Sequence, residues 1–201
     1  EVKDMGKYIL AVDQSTQGTK ALIFDEKADL IARVDTPHRQ LINELGWVEH
    51  DPEEIHQNTL LSIQKVVEKA GIDKNDIYAM GISNQRETSL VWDKSGRPLY
   101  PAIVWQDSRA VDICDKVEKA GLSGTVQERT GIRLSPYFPA AKIGWILEHV
   151  EDAKKAKENN VLYMGTIDTY LVYRLTNGAS YKTDYSNASR TQLFNITTLS
   201  W

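Results

Sequence analysis

Residues 8–25, YILAVDQSTQGTKALIFD, decide the fold. Residues 8–12 are a short apolar run closed by Asp13, the pattern of a buried strand that ends in a polar loop. Residues 20–25 form a second strand with β-branched and aromatic content, and hydroxyl, amide and glycine residues fill the turn between the two. Residues 26–29 supply the next turn and residues 30–36 a third strand, so tight connections join three strands into an antiparallel meander.

Outward from the meander the pattern becomes helical. Asp51 is placed to cap a helix, Pro52 suits its first position, and Glu54 completes the spacing of a capping box. Ile55, Leu60, Ile63, Val67 and Ala70 roughly keep one apolar face, and Gly71 ends the helix. Residues 77–83 predict another buried strand. Residues 90–93 and 99–104 flank Lys94-Ser95-Gly96-Arg97 and predict a hairpin. Helical periodicity returns over residues 110–120, 138–150 and 166–175, while residues 154–160 read as a polar surface stretch. Meander, crossing helix and further strand predict an α/β domain with a mixed sheet flanked by helices, in the order that starts the ribonuclease H-like, actin-like architecture.

The 201 residues are 41% hydrophobic and 26% charged, which suits one soluble domain with a real core. A formal net charge of −4 gives no electrostatic reason to expect nucleic acid or membrane partners. The lone cysteine, Cys114, has Val111, Ile113 and Val117 around it and reads as a small buried residue on a helix. No apolar run reaches transmembrane length and no signal peptide is visible, so a cytoplasmic protein is expected. The chain starts without methionine and stops at Trp201, and it is expected to be part of a longer protein.

Four clusters can carry chemistry. Asp13-Gln14-Ser15-Thr16-Gln17-Gly18-Thr19-Lys20 offers hydroxyls and turn N–H groups to a phosphate, and Asp13 is a hard oxygen ligand suited to magnesium. The competing reading is an ordinary hairpin turn. The spacing fits neither a Walker A loop nor a dinucleotide fingerprint. Gln85, Arg86 and Glu87 follow a predicted buried strand, where loops commonly build sites, and they offer donors and an acceptor to adjacent hydroxyls. Against this stands a surface ion pair of little worth. Trp105 follows another strand and can wall a carbon skeleton, though an isolated tryptophan is more often core. Tyr137 enters a helix with a phenol that can reach a ligand or simply pack. His38, His50, His56 and His149 are far apart, with no metal-ligand spacing, and there is no GxSxG elbow. Asp168 and Asp184 read as capping or structural.

Taken together, AVDQSTQGTKALIFD, GWVEHDPEEI, GISNQRETSLVWDKSGRPLYPAIVWQDSR, SPYFPAAKIGWIL and TIDTYLVYRLTNG through TDYSNASRTQLFNITTLSW resemble the FGGY carbohydrate kinases, most of all those acting on glycerol. The resemblance runs from Tyr8 to Trp201. It implies a ribonuclease H-like N-terminal domain over residues 1–201, facing a second domain across a cleft, in a full-length enzyme expected to be a homo-oligomer. It implies ATP and Mg2+ as cofactors, with Asp13 near the metal and Gln14, Ser15, Thr16 and Gln17 in the phosphate loop. Gln85, Arg86, Glu87, Trp105 and Tyr137 would bind the polyol. The general base would be an aspartate beyond Trp201, so the 201-residue chain alone is expected to be inactive. Ser15, Gly18 and Lys20 depart from the usual Asp-Gln-Gly-Thr-Thr-Ser-Ser-Arg loop. A kinase for another polyol or a ketopentose, a non-kinase actin-like ATPase and a sugar-sensing domain are the competing readings.

Overall fold

The computed structural model describes residues 7–201. They divide into two compact units, one holding Glu53–Gln85 with the described residues up to Gln40, the other holding Leu41–Pro52 and Arg86–Trp201.

The first unit opens with the meander β1 (Tyr8–Ser15), β2 (Gly18–Phe24) and β3 (Leu30–Pro37). The chain then gives two short strands to the second unit, β4 (Leu41–Ile42) and β5 (Val48–His50). It returns through α1 (Pro52–Ala70) to β6 (Ile77–Asn84), which has none of its residues buried because it lies at the sheet edge, and so is not the buried strand expected from its apolar run. The sheet order is β3-β2-β1-β6, with β1 antiparallel to β2 and parallel to β6. A parallel neighbour needs a crossover, and α1 supplies it.

Alternation sets the core. Leu10 and Val12 of β1 and Thr19, Ala21 and Ile23 of β2 are buried while their neighbours are not. Leu10, Ala21, Ile23 and Ala32 pack with Val66 of α1, backed by Ile63, Val67 and Ala70.

The expected apolar face of α1 is the one that packs, except at Leu60. Leu60 is exposed, whereas Ile55, Thr59, Ser62 and Val66 are buried. Two hydroxyls can line that face because both are satisfied: Thr59 Oγ1 donates to the Ile55 carbonyl at 2.8 Å and Ser62 Oγ to Thr36 Oγ1 at 2.7 Å. Gly71, at φ +65°, ends the helix as predicted.

The second unit continues with β7 (Ser89–Asp93), β8 (Ala102–Ile103), α2 (Val111–Lys119), α3 (Ser123–Thr130), α4 (Pro139–His149), α5 (Glu151–Glu158), β9 (Leu162–Thr166), α6 (Ile167–Leu175) and α7 (Tyr185–Ala188). Its sheet runs β4-β5-β8-β7-β9, antiparallel throughout. The predicted hairpin turn forms, with Gly96 N–H donating to the Asp93 carbonyl at 2.8 Å. Its second strand shrinks to Ala102–Ile103, since Pro98 and Pro101 bring no N–H to a ladder. Strand β9 takes the long pairing with β7 instead.

Helices α2, α4 and α6 fall where periodicity placed them. Helix α5 occupies part of the expected surface stretch, and its buried residues are the alanines Ala153 and Ala156. Val91, Ile103, Ala110, Cys114, Ala141, Trp145, Ile146 and Ala153 form one core, which places Cys114 inside as expected. Among the described residues no helix is long and apolar enough to cross a membrane.

Candidate functional site

In the first unit, β1 and β2 meet in a hairpin whose register ends at Ser15 opposite Gly18, so Thr16 and Gln17 alone make the loop. Ser15 Oγ closes it by donating to the Gly18 carbonyl at 3.0 Å. Gly18 is required for a close approach. A Cβ there would lie 2.6 Å from the Thr36 carbonyl oxygen and 3.0 Å from Pro37 Cα, both backbone atoms.

Strand alternation puts Asp13 and Lys20 on the more open side of the sheet and Gln14 and Thr19 on the buried side. Asp13 and Lys20 are directly opposed across β1 and β2, with Nζ 2.9 Å from Oδ2 and side chains 42% and 35% exposed, respectively. One accessible carboxylate beside one ammonium suits a hydrated magnesium ion and phosphate oxygens. That metal keeps much of its water and is commonly held through one or two carboxylates. Among the described residues there is no cluster of three metal-ligating side chains, so any magnesium here would rely on water and phosphate for most of its shell.

Gln85 closes the first unit. Its N–H donates to the Gln14 carbonyl at 2.6 Å. Its side-chain amide donates to Gln14 Oε1 at 3.1 Å, and its Oε1 accepts from Thr16 Oγ1 at 3.4 Å. The Gln85 side chain is thus engaged with the β1–β2 hairpin.

In the second unit, Glu87 sits just before β7 with its side chain almost wholly buried and its backbone at φ +65°. Arg190 Nε donates to Glu87 Oε1 at 2.6 Å. The Arg190 guanidinium lies 4.9 Å from the Phe138 ring centre and 6.0 Å from that of Tyr137. Trp105 and Tyr137, both half-buried, stand with ring centroids 5.7 Å apart at 57°. Thr88 Oγ1 holds the Trp105 N–H at 3.2 Å. Arg86 is exposed, and its carbonyl accepts from Thr88 N–H at 2.8 Å. An amphipathic aromatic corner beside a fixed carboxylate can take a molecule that is carbon on one side and hydroxyl on the other.

Two residues after Trp105 begins a buried ionic network. Asp107 Oδ1 accepts from Arg109 Nε at 2.9 Å, Oδ2 from Arg109 Nη2 at 2.8 Å, and Oδ2 also from Val48 N–H at 2.6 Å. Arg109 reaches on to Glu49 at 2.6 Å and lies over Trp47 at 4.3 Å. Burial pushes the Asp107 carboxyl up, but the Arg109 and backbone hydrogen bonds outweigh it and hold it below the usual range.

Asp168 and Asp184 take structural places, as expected. Asp184 caps α7 by accepting from Asn187 N–H at 2.9 Å, and Asp168 is buried under the hydroxyls of Thr166 and Thr183 at 2.5 and 2.6 Å. Sequence reasoning missed Arg190 and Lys142. Arg190 is 103 residues from Glu87, and no local spacing links them. Lys142 did leave a signal: it is a lone charge in the apolar helix PAAKIGWIL.

A two-residue hairpin on a mixed α/β sheet, with an aromatic corner and a buried carboxylate carried by the same chain, is the combination that the sequence resemblance to a carbohydrate kinase domain implies. The chain belongs to the FGGY family of carbohydrate kinases, matching the family's N-terminal domain over residues 8–201. It is 51% identical to glycerol kinase 1 of Thermotoga maritima over 196 residues, covering 96% of this chain and 40% of that protein. Against glycerol kinase 2 of the same organism it is 47% identical over 196 residues, covering 97% and 40%, respectively. The crystal structure of Plasmodium falciparum glycerol kinase with ADP matches at a TM-score of 0.85 and 35% identity, over 98% of this chain and 39% of that one. The fold is thus the actin-like ATPase fold of the FGGY sugar kinases. The chain spans about 40% of the length of the curated relatives it matches.

Proposed function

We propose that the full-length protein is an ATP-dependent kinase that phosphorylates glycerol to glycerol 3-phosphate. The observation that carries this reading is the buried Glu87 carboxylate, fixed by Arg190 near the paired rings of Trp105 and Tyr137. Identity near 50% to glycerol kinases supports the same substrate.

In this account Glu87 accepts hydrogen bonds from substrate hydroxyls, and Arg86 donates to them from the adjacent position. Trp105 and Tyr137 cover the carbon chain and keep water off it. The Thr16–Gln17 turn presents backbone N–H groups to phosphate oxygens, braced by Ser15, Gln14 and Gln85. Lys20 adds a cation, and Asp13 would hold magnesium through water, where the ion would offset phosphate charge. Positioning and charge neutralisation carry most of phosphoryl transfer. The base that takes the hydroxyl proton would be an aspartate beyond residue 201, supplied by the rest of the protein. The buried lone thiol Cys114 suits a reducing, cytoplasmic setting.

Arg86→Ala in the full-length enzyme tests the reading. Loss of a charge-assisted hydrogen bond predicts a fall of about 10- to 100-fold in kcat/KM for glycerol, with the KM for ATP little changed. Equal losses toward both substrates would put Arg86 outside the acceptor pocket.

A further inference from the structure

Lys142 is the most anomalous side chain in the second unit. It sits on α4 with no exposed surface, among Ala141, Ile143, Trp145 and Ile146. Desolvation makes a buried ammonium costly, and a methionine would fill the same space without that cost. Yet its Nζ donates to three backbone carbonyls, those of Tyr137 at 2.5 Å, Pro136 at 2.7 Å and Trp105 at 3.4 Å. An ammonium has three donors, and all three are used. Two of the acceptors belong to the segment that enters α4, and the third to the loop after β8. These are the segments that carry the two aromatic rings of the corner.

We propose that Lys142 is a positioning residue for the acceptor pocket. Its ammonium ties the Trp105 segment to the Tyr137 segment and so sets the spacing of the two rings that cover the substrate. The assignment of a polyol to that corner rests on the function proposed above; the tether itself rests on the geometry. Helix α4 gives the tether a rigid base, and the rings stand 5.7 Å apart as a result.

Burial lowers the Lys142 pKa to about 7, against the pull of Asp107 and Glu87; Cys114 also raises it, and Arg109 lowers it. A neutral amine has only two donors, so one of the three carbonyls loses its partner when Lys142 deprotonates. Of the groups facing it, Cys114 is pushed upward by burial, Asp107 is held low, and Arg109 stays charged.

The test uses the full-length protein, wild type against Lys142→Met, with hydrogen exchange and kinetics measured side by side. Faster exchange confined to peptides containing residues 104–108 and 135–139 is expected, and unchanged exchange there would overturn the tether whatever the activity. In kinetics, the KM for glycerol should rise about 10- to 100-fold while the KM for ATP holds, since small misplacements of positioning groups carry that cost. Parallel rises in both would mean a merely structural lysine. If Lys142→Met does not fold, Lys142→Gln, which keeps two donors on a shorter stem, takes its place under the same two readouts. With that variant, unchanged exchange over residues 104–108 and 135–139 would overturn the tether. A wild-type enzyme with no polyol or sugar turnover would instead remove the functional reading, and exchange would still decide the tether.

Discussion

Glu87 holds its carboxylate 2.6 Å from Arg190 Nε while its own backbone stands at φ +65°. A non-glycine residue in that region costs on the order of 1–3 kcal/mol, and it persists only where the surroundings over-determine it. Here the surroundings are Arg190, set over the Phe138 ring, and Ser89 Oγ, which donates to the Glu87 carbonyl at 2.9 Å. The strained residue is also the one assigned to bind substrate hydroxyls.

Arg190→Met should therefore act on both stability and acceptor use. It leaves a buried carboxylate without its cation, a loss of about 2 kcal/mol once the partial exposure of Arg190 is allowed for. Urea unfolding of the full-length protein reads the first effect and the glycerol KM the second. A variant as stable as wild type, with unaltered glycerol KM, would show that Arg190 does not hold Glu87 in place.

Gly18→Ala should destabilise by about 1–3 kcal/mol, because the new methyl meets the backbone of Thr36 and Pro37 and neither can step aside. Gly81→Ala on β6 is the control: nothing lies within 4 Å of its Cβ, and a change within about 0.5 kcal/mol is expected. Thermal melts of the two variants separate the cases. Equal effects would mean that the β1–β2 hairpin relaxes around the methyl and is not fixed by this contact.

Burial raises the Asp168 carboxyl above its ordinary value, against the hydrogen bonds of Thr166 and Thr183. A raised acid binds its proton more tightly folded than unfolded. Its contribution is thus complete below the unfolded pKa and is lost as pH rises through the folded one. Asp168→Asn should melt higher than wild type near pH 7, with the gap closing toward pH 4. A gap that widens on acidification would show that the folded protein prefers the carboxylate.

Much of this was legible in the chain itself. The meander followed from local alternation and tight turns and the crossover helix from its caps, while the apolar run 77–83 marked β6 as a strand but wrongly as a buried one. Other parts were illegible for physical reasons. Helix α5 buries two alanines, too little apolar surface to mark a face, and Leu60 was misplaced because Thr59 and Ser62 hide their polarity in internal hydrogen bonds. Residues 85–87 looked like one cluster, yet the side chain of Gln85 bonds to Gln14 and Thr16 while Glu87 bonds to Arg190. Partnerships over such sequence separations leave no periodic trace. Lys142 was visible as an oddity, but its three carbonyl partners belong to irregular segments that no pattern predicts.

The central claim, glycerol phosphorylation, is tested most directly by ADP release from the full-length protein offered MgATP with glycerol, other polyols and ketopentoses. The account predicts kcat/KM highest for glycerol. Turnover of a ketopentose but not of glycerol would contradict it, leaving the kinase fold intact but the assignment of Arg86, Glu87, Trp105 and Tyr137 to a glycerol pocket wrong.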